Sequence, residues 1–178
     1  MKDLGEMHYY LSIELWKEDG KNLITQSKYI NELIIRFNMS ECNLVSTPFK
    51  QNVKLFNYDD TKEVNVTLYQ QLVGSLNYLT TKRSDISYSI SILSQFMAKP
   101  HENHWKVVKR FIRYLTRIVD FGIEYNNHLN VELTCYSYSN WEGDLDDIKP
   151  AAEYAFSIGS RIMSWSTKKP PIVSLFLN

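Results

Sequence analysis

LYQQLVGSLNYLTTKRSDISYSISILSQFMAKPHENHWKVVKRFIRYL, residues 68–115, is the stretch on which the fold turns. Tyr69, Leu72, Val73, Leu76 and Leu79 recur at three- and four-residue spacing, which lays one apolar stripe along a helix. Gly74 interrupts that helix. Glycine there costs about 1 kcal/mol against alanine unless something packs closely on it. Ser84 or Asp85 supplies the cap of a second helix running through Met97, and Pro100 stops it. A third helix spans about 103–118, with Trp105, Val108, Phe111, Ile112 and Leu115 as its apolar face. Largely opposite that face run Lys106, Lys109, Arg110, Arg113 and Arg117, a cationic outer stripe.

Toward the N-terminus, residues 7–27 read as a β-hairpin. A strand rich in Tyr, Ile and Leu covers 7–16, Glu18-Asp19-Gly20 turns the chain, and Leu23-Ile24-Thr25 returns. Ser27 is the expected N-cap of a helix over 28–38, whose Tyr29, Ile30, Leu33, Ile34 and Phe37 share a face. Residues 43–66 show no sustained period and read as a connector. Beyond Phe121 the helical period gives way to alternation, with strands expected over 122–125, 131–139, 154–158 and 161–166. Lys168-Lys169-Pro170-Pro171 then breaks the pattern.

The bulk properties are those of a globular chain. It has 178 residues, 44% of them hydrophobic and 22% charged, enough for one ordinary domain or two small ones. Twenty Lys and Arg balance twenty Asp and Glu, which argues against strong autonomous nucleic-acid binding but leaves room for a local basic stripe. Cys42 and Cys135 fit no metal or redox spacing and read as thiols of a reducing compartment. The sequence shows neither a signal peptide nor an apolar run long enough to span a membrane. The expected location is intracellular, in cytoplasm or nucleus.

Several residue groups invite chemistry and are weighed against blander readings. Asp144, Asp146 and Asp147 cluster beside Gly143, yet a solvated acidic turn explains them. Tyr58-Asp59-Asp60 is one residue short of the Tyr-x-Asp-Asp that holds two metals in polymerases. His101 and His104 have ligand spacing on a helix, but no third ligand follows, so a solvent-facing pair at a helix start is expected. No metal site is assigned. The cationic stripe carries the one functional reading that pattern supports, a surface that tracks phosphates, against the alternative of an ordinary solvated helix face.

Several segments resemble, in order, the copia-type LTR-retrotransposon Pol polyprotein. MKDLGEMHYYLSIEL is similar to its post-catalytic hairpin, and SKYINELIIRFNMSECNLVSTP to the helix and Thr-Pro that follow. Residues 68–115 resemble the next block, and CYSYSNWEGDLDDIKP with MSWSTKKP resembles the opening of its ribonuclease H domain. The resemblance implies an α+β fold: an N-terminal β-hairpin, a helical thumb/connection bundle, then a truncated three-stranded antiparallel ribonuclease H-like sheet. Residues 1–125 would form the reverse transcriptase thumb/connection-like region and 126–178 the truncated ribonuclease H-like region.

The same resemblance places a primer-grip-like element at Leu11, Ser12 and Ile13, with Ser12 where the family usually has glycine. It sets Lys106, Lys109, Arg110, Arg113 and Arg117 beside a template-primer duplex, and RNA–DNA hybrid or duplex nucleic acid is the implied weak partner. It also marks what is lost. Tyr138 and Asn140 stand where the family pattern Tyr-Ser-Asp-x-Asp-Trp has its carboxylates. A phenol and an amide do not hold paired divalent ions. The family uses Mg2+; here no cofactor is expected. The expected function is that of a catalytically inactive remnant of a retrotransposon reverse transcriptase/ribonuclease H polyprotein. The alternatives are a retained template-primer binding module and a segment of a longer RNA-directed DNA polymerase. Residues 126–178 are expected to expose an apolar sheet face and unpaired edges.

Overall fold

The computed structural model describes residues 5, 7–18, 20–50, 55–56, 61–126, 132–140, 151–159 and 161–168. Tyr58-Asp59-Asp60, the Asp144, Asp146 and Asp147 cluster and the 169–171 breaker lie outside the described residues.

The chain opens with β1 (Tyr9–Tyr10), β2 (Ile13–Glu18) and β3 (Lys21–Thr25). The single strand expected over 7–16 is therefore two strands. Leu11 and Ser12 take left-handed conformations at φ 48° and 59° and form a two-residue turn between the paired Tyr10 and Ile13. Such a turn matches the natural strand twist but favours Asn and Gly, so the pattern of large apolar residues concealed it. Gly20, at φ 76°, supplies the expected turn between β2 and β3.

Helix α1 covers Ser27–Arg36. Ser27 is its first residue and not its cap. Its hydroxyl donates to the Val119 carbonyl, while Glu14, reaching from β2, accepts the Lys28 N–H at 3.1 Å. The cap thus comes from the sheet, where a local reading could not see it. The helix ends two residues earlier than expected. Asn38 turns left-handed, Asn38 N–H bonds Ile35 O and Met39 N–H bonds Ile34 O, the paired bonds of a Schellman stop.

Helices α2 (Val66–Leu79), α3 (Ser87–Ser94) and α4 (Glu102–Arg117) form the body. Asn65 caps α2 by accepting the Leu68 N–H at 3.0 Å. The helix expected through Met97 is split: residues Ser84–Ile86 form a 3-10 turn, and α3 is short. Arg83 explains the split. Its buried guanidinium grips Asp85 through two bonds of 2.8 and 2.7 Å and donates to the carbonyls of Ile118 and Phe121 at the end of α4. The corner is held to that distant helix end rather than wound into a continuous helix.

The apolar stripes meet in one core. Ile30, Leu33, Leu72, Leu76, Ile90 and Phe111 are among its buried members. Each such side chain contributes roughly 1.5–3 kcal/mol relative to exposure. Tyr69 is fully buried and donates to the Leu93 carbonyl at 2.9 Å, which satisfies its hydroxyl inside the core.

Strand β4 (Ile123–Asn126) returns to pair with β3, completing a four-stranded antiparallel sheet in the order β1-β2-β3-β4. Gly122 permits that return, because a Cβ there would collide with the Ile24 carbonyl. A separate three-stranded antiparallel sheet follows: β5 (Leu133–Asn140), β6 (Ala151–Ile158) and β7 (Arg161–Lys168). The α+β architecture of hairpin, helical body and second sheet is the expected one. Among the described residues no helix is long and apolar enough to cross a membrane.

Candidate nucleic-acid interface

Helix α4 carries the expected stripe, and the structure divides it by role. Lys106, Lys109 and Arg117 are exposed. Lys106 pairs with Glu102 at 3.0 Å, an exposed pair worth only a few tenths of a kcal/mol. Lys109 lies 5.9 Å from the centre of the Trp105 ring. Arg110 and Arg113 are half-buried and already engaged: Arg110 Nη2 donates to Thr47 Oγ1 at 3.0 Å and Arg113 Nε to the Asn43 carbonyl at 2.6 Å. These two arginines strap the connector onto α4. A one-dimensional stripe could not separate cations that face outward from cations that hold a loop.

Strap and helix enclose a groove of about 820 Å³. Met39, Phe49, Leu55 and Val107 contribute its apolar surface. Lys50, Lys106, Lys109, Arg110 and Arg113 form its rim, and its described lining contains no carboxylate. Charge of one sign beside an apolar floor suits an anion with a flat or greasy body. Lys50 was not singled out by the sequence, because it lies in the aperiodic connector. Only the fold brings it to the helix.

The hairpin residues Leu11, Ser12 and Ile13 form the tight turn and its exit into β2. The Tyr78 hydroxyl of α2 donates to the Leu11 carbonyl, and the Tyr78 ring meets Tyr29 edge-on at 5.2 Å. The turn is thus braced against the helical body. Tyr10, Leu11 and Trp16 are exposed around it.

The histidines contradict the solvent-facing expectation. His101 and His104 are both buried. His104 Nδ1 accepts the His101 N–H at 2.9 Å, and its Nε2 lies 3.0 Å from the Phe56 carbonyl. A carbonyl can only accept, so His104 is the neutral tautomer protonated at Nε2. Both its nitrogens serve peptide groups, which leaves no lone pair for a metal. His101 Nδ1 reaches the Thr61 carbonyl at 2.7 Å, and Phe96 stacks on His104 at 4.0 Å. The pair closes the start of α4 and fastens the connector's far end.

Tyr138 and Asn140 lie on β5, opposite Glu153 and Ala151 of β6. Phenol and amide at these positions are a poor donor set for paired divalent cations, so no catalytic step is assigned to them. Among the described residues no group of three His, Cys, Asp or Glu is placed to hold a metal.

Comparison with known proteins gives a consistent picture. The chain is 39% identical over 169 residues to a retrovirus-related Pol polyprotein from transposon RE1 of Arabidopsis thaliana, covering 95% of this chain and 12% of that protein. It is 32% identical over 180 residues to an uncharacterized mitochondrial protein of the same plant, covering 98% of this chain and 72% of that one. It is 29% identical over 184 residues to the Pol polyprotein from transposon TNT 1-94 of Nicotiana tabacum, covering 98% of this chain and 14% of that protein. The chain therefore spans about an eighth of the length of the Pol relatives. No family model matches it, and no solved structure gives a significant match.

Proposed function

The chain belongs to the copia-type retrovirus-related Pol polyproteins of transposons, and from that membership we propose that it is a nucleic-acid-contacting remnant of the reverse transcriptase/ribonuclease H part, without catalysis of its own. Residues 1–125 are assigned to a thumb/connection-like region and 126–178 to a ribonuclease H-like region. The observation that carries the binding half is the row of exposed cations along α4, Lys106, Lys109 and Arg117. Lys106, Lys109 and Arg117 supply phosphate contacts, while Arg110 and Arg113 keep the surface in shape. The non-catalytic half rests on Tyr138 and Asn140, whose neutral side chains replace the family's carboxylates.

One experiment addresses both halves. A labelled RNA–DNA hybrid is titrated with the full chain, with and without Mg2+, and followed by anisotropy and by gel. Binding that weakens as salt rises, without strand cleavage, is the expected result. The triple variant Lys106→Ala, Lys109→Ala, Arg117→Ala should lower the magnitude of the salt slope by about 0.9 for each phosphate contact removed. Mg2+-dependent cleavage, or binding indifferent to the triple variant, contradicts the proposal.

A further inference from the structure

We propose that the groove between α4 and the connector takes a short run of single-stranded nucleic acid, with bases against its apolar floor and phosphates on its cationic rim. This rests on the nucleic-acid reading above and narrows it from duplex to single strand at this one site.

The shape of the surface supports the choice. A duplex presents a convex face of phosphates with its bases stacked inside. It would satisfy the rim and leave Phe49, Met39 and Val107 uncovered. A single strand offers phosphates and unstacked π-faces together, which is the pairing of basic groove and aromatic surface that such ligands use. Phe49 supplies the aromatic face, and it packs against the core, so it is a supported platform rather than a loose side chain. The groove volume of about 820 Å³ falls in the range of roughly 300–1,000 Å³ typical of clefts that enclose small organic ligands.

A second observation concerns Arg110. Arg110 lines the groove, and its Nε is buried with no hydrogen-bond partner among the described residues. Buried donors are rarely left unpaired. The Arg110 guanidinium is anchored to Thr47 through Nη2, which fixes its positive charge at the groove wall. Lys50 and Lys109 add charge from opposite elements.

The test is an anisotropy titration of the full chain with a labelled single-stranded oligonucleotide, the duplex of the same length, and a polyglutamate competitor. The single strand is expected to bind several-fold more tightly than the duplex. Phe49→Ala should weaken single-strand binding about tenfold and leave duplex binding unchanged. Phe49→Leu keeps the floor apolar and guards against misfolding, checked by a thermal melt; it should reproduce most of the loss. Lys50→Ala should reduce the single-strand salt slope by about 0.7. If duplex binds as well as single strand and the Phe49 variants change neither, this proposal fails while the general binding reading survives. If no nucleic acid binds, both fail. Displacement of the strand by polyglutamate at equal charge concentration would make the occupant an acidic peptide and overturn the proposal.

Discussion

Leu11 and Ser12 occupy a conformation that side chains of L-residues resist, at a cost of roughly 1–2 kcal/mol each. Ser12→Gly should therefore stabilise the chain by about 1 kcal/mol, read as a higher urea midpoint at unchanged slope. No gain would mean that the turn is not left-handed in solution. Tyr69 gives a second prediction. Burial pushes its hydroxyl well above the usual phenol range, and burial raises Tyr29 as well. A raised folded-state value means that stability is full below the unfolded phenol value near pH 10 and is lost as pH climbs beyond it. Alkaline unfolding should be steep in the native chain and flatter in Tyr69→Phe. At this scale the sequence told little. Tyr69 was legible as core, but nothing local announced that Glu14 caps α1 or that His101 and His104 turn inward. Those roles depend on partners far along the chain.

Helices were the most readable elements, because apolar spacing fixes which face is buried before any partner is known. The stripe from Tyr69 to Leu79 and the apolar face of α4 both lie in the core. Termini were less readable, since the N-terminal cap of α1 and the break before α3 come from tertiary contacts. Gly74 is instructive here. Nothing lies within 4 Å of the Cβ it lacks, so no close packing accounts for it. Gly74→Ala should stabilise α2 by about 1 kcal/mol in chemical denaturation. Destabilisation would imply a contact made outside this chain. The Arg83 clasp predicts the opposite sign. Arg83→Met should cost about 3 kcal/mol, since it strands carbonyls at the end of α4 as well as Asp85. Asp85→Ala should cost less, because Asp85 is half-exposed. Equal losses would show that the carbonyl contacts carry no weight.

For the whole molecule, the second sheet is where burial runs short. Leu133, Tyr136, Phe156 and Met163 are all exposed there. That exposure was expected from the family resemblance, which implies a sheet without its covering helices, and it makes the sheet prone to self-association. Leu133→Lys with Phe156→Lys should lower the sedimentation coefficient at high protein concentration while moving stability by less than about 0.5 kcal/mol per site. An unchanged coefficient would place the sticky surface elsewhere. What the sequence concealed at this scale was the closing of the first sheet. The strand over 122–125 was expected, but its partner was not, because pairing of Ile24 with Ile123 has no local signature. That closure also sets a clock. On a ribosome adding ~5–20 residues per second, the free edge of β3 waits on the order of 5–20 s for the roughly hundred residues that deliver β4. During that interval the nascent hairpin offers an open strand edge to any chain nearby.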